Sequence, residues 1–180
     1  VNVVPFDKND RVVTLFEINS KRNGLPLFLF TISEKGMVKR TPIEQYDATR
    51  STGIIGAGVA NGDRIIAAYV SPGNGDMIIA TEKGQAIRFS EATVSSSGRS
   101  AKGVRGIGLD RGDVVVSALS VRPYPEGERD RRTVVAITRD GKFKRTALGE
   151  VPLQLRAGKG GRIIVKKKSQ HGLHSVRTHV

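Results

Sequence analysis

The residues of this 180-residue chain whose types repeat at fixed spacing are cations. Arg99, Lys102 and Arg105 return as Arg156, Lys159 and Arg162, and Arg40 returns as Arg88 and Arg145. Lys39, Arg50 and Lys144 extend the set. Cations placed regularly beside glycine suit a partner whose own charges are regular, and the phosphate backbone of duplex DNA is such a partner, gripped without regard to base identity. The first repeat carries Thr52 and Ile55 where Lys102 and Arg105 stand later, so the grip is expected to strengthen toward the C-terminal end.

Other chemistries lack their residues. Gly56-x-Gly58 and Gly106-x-Gly108 do not continue as G-x-x-G or open a helical pattern, and no G-x-x-x-x-G-K-[ST] run exists, so neither dinucleotide binding nor nucleotide hydrolysis is expected. These glycines instead let strand backbones come close. Absence of cysteine excludes disulfides and thiolate metal sites. His171, His174 and His179 fit no common metal spacing and read as part of a solvated tail. Glu34, Glu44 and Glu82 fall in turns without a paired carboxylate, and Tyr46, Tyr69 and Tyr124 have no setting for strand cleavage. No catalytic residue, metal site or cofactor is expected in this chain.

The charge behind the cation pattern is uneven. The chain carries net +13, yet residues 1–75 hold +2, 76–130 are neutral and 131–180 hold +11. Such a surplus calls for a polyanionic partner. Aromatics are only 5% of residues with no Trp, which argues against readers of single strands or RNA that stack bases on rings. The longest apolar runs, Gly53–Ala60 and Val114–Val121, are far shorter than the ~20 residues of a spanning helix, so no membrane partner is expected. The chain opens at Val1 without an initiator Met or signal-peptide pattern, which reads as an excised fragment, and the absence of cysteine makes a cytoplasmic setting the default expectation.

The elements that must position these cations follow from a repeat of about fifty residues. Its first half is an apolar stretch, a polar turn ending in Gly, and a return stretch ending in a base: Leu29–Arg40, Met77–Arg88 and Val134–Arg145, aligned without a gap. β-rich residues around a turn glycine of positive φ predict a hairpin with a type I turn and a glycine bulge. The second half is Gly-rich and runs into a strand, Arg50–Ile66 matching Ser100–Val116 at an offset of fifty; Asn9–Val13 resembles its tail, and Arg156–Ile164 begins a third copy and then loses the pattern. With no stretch of helical period, the expectation is an all-β fold of propeller-like blades: a partial blade 1–26, blades at about 27–75, 76–131 and 132–168, and a basic tail 166–180. Three blades are fewer than the usual 4–8, so an open or partial ring is expected.

The runs Gly36–Thr41 and Gly141–Thr146, with Gly98–Ile107 followed by Gly112–Val115, closely resemble the C-terminal domain repeats of bacterial type IIA topoisomerase A subunits, those of DNA gyrase or topoisomerase IV. The resemblance covers residues from about 9 to 164. It implies a β-pinwheel, a propeller-like disc whose blades exchange strands and whose basic rim bends DNA. The partners it implies are the rest of the A subunit, together with an ATPase B subunit. Gyrase members also carry a box of the form Gln-Arg-Arg-Gly-Gly-Lys-Gly. The segment Gln154, Leu155, Arg156, Ala157, Gly158, Lys159, Gly160 is similar to it, and aligns equally well with the ordinary repeat around Arg99, Lys102 and Gly103. A propeller-like protein-interaction module with a basic face for an acidic partner is the alternative.

Overall fold

The computed structural model describes residues 11–16, 26–47 and 53–163 and the backbone of 173–179. Within them the regular structure is strands joined by turns, with short 3-10 turns and no α-helix. Three hairpins stand where the repeat puts them: β1 (Phe28–Ser33) with β2 (Met37–Pro42), β4 (Asp76–Thr81) with β5 (Gln85–Ser90), and β8 (Thr133–Thr138) with β9 (Phe143–Ala147). In each turn a glycine N–H closes back three residues, Gly36 to Ser33, Gly84 to Thr81 and Gly141 to Thr138. All three glycines hold φ between 80° and 84°, a region costly to any residue with a Cβ.

Three further strands, β3 (Ile65–Ser71), β7 (Val115–Val121) and β11 (Leu173–His179), pair antiparallel with β1, β4 and β8. Two short ones complete the picture: β6 (Val104–Arg105) and β10 (Gly161–Arg162). The sheets run β3-β1-β2-β6, β7-β4-β5-β10 and β11-β8-β9. At one edge of each of the first two sheets the outermost strand comes from the following repeat: β6 of the second unit finishes the first sheet and β10 of the third finishes the second. This is the strand exchange that the resemblance implied. The last residues depart from the expected solvated tail: β11, with His174 and His179, takes the place that β3 and β7 occupy, because β8 offers a free backbone edge whatever the side-chain pattern. His171 and Lys166–Lys168 lie outside the described residues.

Two apolar layers hold the sheets face to face. Phe30, Ile32 and Val38 of the first sheet meet Met77, Ile79, Ile87 and Phe89 of the second, with Val94 and Ile107 sealing the layer. On the second sheet's other face, Ile78, Ala80 and Ala86 meet Val134, Ala136, Leu148 and Ile163. Side chains alternate across a strand, so β4 sends Met77 and Ile79 one way and Ile78 and Ala80 the other, which is why its sequence is apolar without interruption. At one end of β3 and β7 the fully buried Glu91 carboxylate accepts from Ser71 Oγ (2.6 Å), Ser120 Oγ (2.7 Å) and Gly75 N–H (3.3 Å). Burial, then the nearby Glu91 charge, pushes the Tyr69 phenol well above its usual value.

Candidate nucleic-acid interface

The repeated cations divide into two groups once their side chains are placed. Lys39 and Arg88 reach across the joints between units and Arg40 packs within its own unit, none of them on an exposed rim, which corrects the expectation for them. Lys39 is 3% exposed, and its ammonium donates to the carbonyls of Gly56 (3.0 Å), Gly98 (3.3 Å) and Arg99. Desolvation, with repulsion from Arg99 second, holds it below the usual lysine range. The Arg40 guanidinium lies 3.7 Å from the Phe28 ring centroid. Arg88 pairs with Asp76 at 2.7 Å and donates to the carbonyls of Leu148 (3.3 Å) and Val151 (3.5 Å) in the next unit. Arg145 occupies the equivalent place in the third unit, where Thr133 stands in place of Asp76, and it is exposed.

The second group lies on the outer edge of each sheet. Lys102 and Arg105, on and beside β6, are exposed at the edge of the first sheet; Lys159 and Arg162, on and beside β10, repeat them at the edge of the second; Lys144 and Arg145 sit on β9, which ends the third. The side chains of Lys102, Arg105, Arg145 and Arg162 make no hydrogen bond or ion pair among the described residues, so their charges face solvent. Lys144 Nζ donates to Ile163 O (3.2 Å). Lys159 meets Asp110 at 2.6 Å, a contact that lowers the carboxyl and raises the ammonium from their usual values. Arg50 lies outside the described residues.

The box-like segment does the work of an ordinary repeat. Gln154 N–H donates to Arg88 O (2.8 Å), as Ser97 N–H does to Arg40 O (2.9 Å). Arg156 Nη1 donates to Arg105 O (3.1 Å), as Arg99 Nη1 does to Ile55 O (3.4 Å). Gly158 O accepts from Gly108 N–H (2.8 Å), as Ala101 O does from Gly58 N–H (3.2 Å). Arg99 and Arg156 therefore fasten neighbouring units, while the following Lys and Arg are left to face outward. Ala157 holds φ 71°, alone in that region among described non-glycine residues, where the box has glycine.

The aspartates after Gly62 and Gly112 were not singled out from the sequence, although they repeat at an offset of fifty. Asp63 Oδ1 accepts from Lys35 and Arg64 N–H, and Asp113 Oδ1 from Lys83 and Val114 N–H, all at 2.9–3.0 Å, clamping each hairpin turn to the strand that follows. Among the described residues no three His, Cys, Asp or Glu side chains converge as metal ligands, and no helix is long and apolar enough to cross a membrane.

Comparison with known proteins agrees with this architecture. The chain is 34% identical over 160 residues to the A subunit of DNA gyrase from Salmonella typhimurium, covering 89% of this chain and 17% of that protein. It is 30% identical over 173 residues to the A subunit of DNA gyrase from Escherichia coli, covering 96% of this chain and 19% of that protein. The chain thus spans about a fifth of the length of these curated relatives. A crystal structure of the C-terminal domain of DNA topoisomerase IV superposes with a TM-score of 0.87 at 26% identity, over 99% of this chain and 54% of that one. The family described as DNA gyrase C-terminal domain, beta-propeller, matches residues 28–72, 75–122 and 132–172, one stretch for each sheet's hairpin, and the chain belongs to that family.

Proposed function

We propose that this domain binds duplex DNA along the outer edges of its three sheets, largely without sequence preference, and bends it toward a type IIA topoisomerase core. The observation that supports this reading is the recurrence of an exposed cation pair on or beside the strand that ends one edge of every sheet: Lys102 with Arg105 at β6, Lys159 with Arg162 at β10, Lys144 with Arg145 on β9. Phosphate contacts need charge at intervals and no fixed base geometry, which such edges provide. Bending a short duplex costs of order 1–6 kcal/mol, and contacts spread over successive sheets offset it. In this reading cleavage belongs to the remainder of the A subunit, energy transduction belongs to the ATPase B subunit, and the chain itself needs no cofactor.

With six such cations engaged, log affinity should fall linearly with log salt at a slope of about −5. Titrating random duplexes of equal length at several salt concentrations checks this, with fluorescence transfer between duplex ends reporting the bend. A flat salt response, or preference above about tenfold among random duplexes, overturns it.

A further inference from the structure

The two joints inside the chain carry the same cations in the same places. Gly58 N–H donates to Ala101 O (3.2 Å) at the first and Gly108 N–H to Gly158 O (2.8 Å) at the second, which sets Lys102 beside the first Gly-rich segment as Lys159 is set beside the second. A turn lysine comes with each: Lys35 Nζ donates to Asn61 O (3.3 Å) and Lys83 Nζ to Arg111 O (2.5 Å). The joints differ at the residue just before those carbonyls, which is Ala60 in the first and Asp110 in the second.

That one difference changes the charge presented at the edge. Lys159 Nζ reaches Asp110 Oδ1 at 2.6 Å, with the lysine side chain 70% and the carboxylate 46% exposed. Lys159 first, then Lys83 and Arg162, hold the carboxyl below its usual value. Asp110 therefore stands within the field of three cations, on the surface that the proposed function gives to DNA. Lys102 makes no such pair. With Val59 and Ala60 it borders a cavity of about 110 Å³, and the carboxylate that also lines it, Asp63, already accepts the N–H groups of Lys35 and Arg64.

We infer that Asp110 occupies, in the free chain, the place of a DNA phosphate on the second edge, and that a duplex engages Lys159 only by displacing it. This rests on the proposed function and names a residue that restrains it. An ammonium donates to carboxylate and phosphodiester oxygens alike, so the site that holds one takes the other. The pair is exposed, and exposed pairs are weak, so it yields to a duplex already held at Lys102 and Arg105. Displacement leaves the carboxylate uncompensated beside a chain of phosphates, a cost that the first edge, with Ala60, does not carry.

Duplex titration at fixed salt tests this. Asp110→Asn should tighten binding at least about threefold, and Ala60→Asp, which puts the same carboxylate beside Lys102, should weaken it about as much. Glu128→Gln, at an exposed linker acid, changes net charge as Asp110→Asn does and should shift affinity by less than about 1.5-fold. In a Lys159→Met chain the Asp110→Asn gain should fall to less than half, because only repulsion is left to relieve. All these positions are exposed, so the variants keep the fold, as urea unfolding would report. Absence of duplex binding by the natural chain would sink the proposed function and this inference with it. A smaller Asp110→Asn gain, an equal gain from Glu128→Gln, a gain that Lys159→Met does not halve, or an Ala60→Asp chain that binds like the natural one overturns this inference alone.

Discussion

At the scale of single residues, equivalent positions in a repeat carry different duties according to what covers them. Lys39 and Lys102 show the contrast: one ammonium is buried among three backbone carbonyls, the other faces solvent alone. Lys39→Met keeps the aliphatic stem and strips the donors, so it should cost about 1–3 kcal/mol in urea unfolding. Lys102→Met should leave stability within about 0.5 kcal/mol and lower the salt slope of DNA binding by about one. The pH dependence has a definite sign. Burial lowers the Lys39 pKa below its usual 10.5, so between those values the unfolded chain holds a proton that the folded one has released. Stability conferred by Lys39 therefore rises with pH in that window, and the gap between the natural chain and Lys39→Met should widen from pH 7 toward pH 10, as unfolding at both pH values would report.

At the scale of elements, the exchanged strand is the device that joins units, and glycine makes its approach possible. Gly103 combines positive φ with a backbone carbonyl 2.4 Å from where a Cβ would sit, whereas Gly53 has the same φ and open space. Gly53→Ala should therefore cost about 1 kcal/mol from backbone conformation alone. Gly103→Ala should cost at least about 2 kcal/mol, because β6 must also pull away from β2 and uncover the apolar layer under Ile107. Thermal or urea unfolding of the two variants compares them directly. Equal losses would mean that the joint between β2 and β6 contributes nothing to stability.

At the scale of the whole molecule, charge acts through its arrangement on the three sheet edges as well as through its sum. Removing Lys102, Arg105 and Arg162 deletes three charges from outer edge strands; removing Arg122, Arg129 and Arg131 deletes three exposed charges from the linker between the second and third units. Net charge changes equally in both. A diffuse field would respond alike to the two triples, whereas a bent path over the edges should lose at least about tenfold more affinity with the first. Duplex binding at fixed salt, with end-to-end transfer as the measure of bending, distinguishes them. The bend should disappear in the first triple before binding does, since contacts at successive sheets are what offset curvature.

Much of this was legible along the chain because it is local. β-rich residues around a glycine at the third turn position specify a hairpin within a dozen residues, and three copies in one order announce one unit repeated. The Gly-rich segments, their offset of fifty and the cations beside them could be read the same way. What only the tertiary structure decided is which unit each segment completes and which way each cation points. Strand exchange pairs residues that lie far apart in the chain, as Met37 does with Arg105, and nothing in local periodicity encodes that partner. Arg40, Arg88 and Arg145 look alike in sequence, yet Phe28 holds the first and Asp76 with the following unit holds the second, while the third, with Thr133 in place of Asp76, is exposed. β11 escaped notice for the complementary reason: a strand that completes an edge through backbone hydrogen bonds needs no side-chain pattern, so the repeat could end in sequence and continue in space.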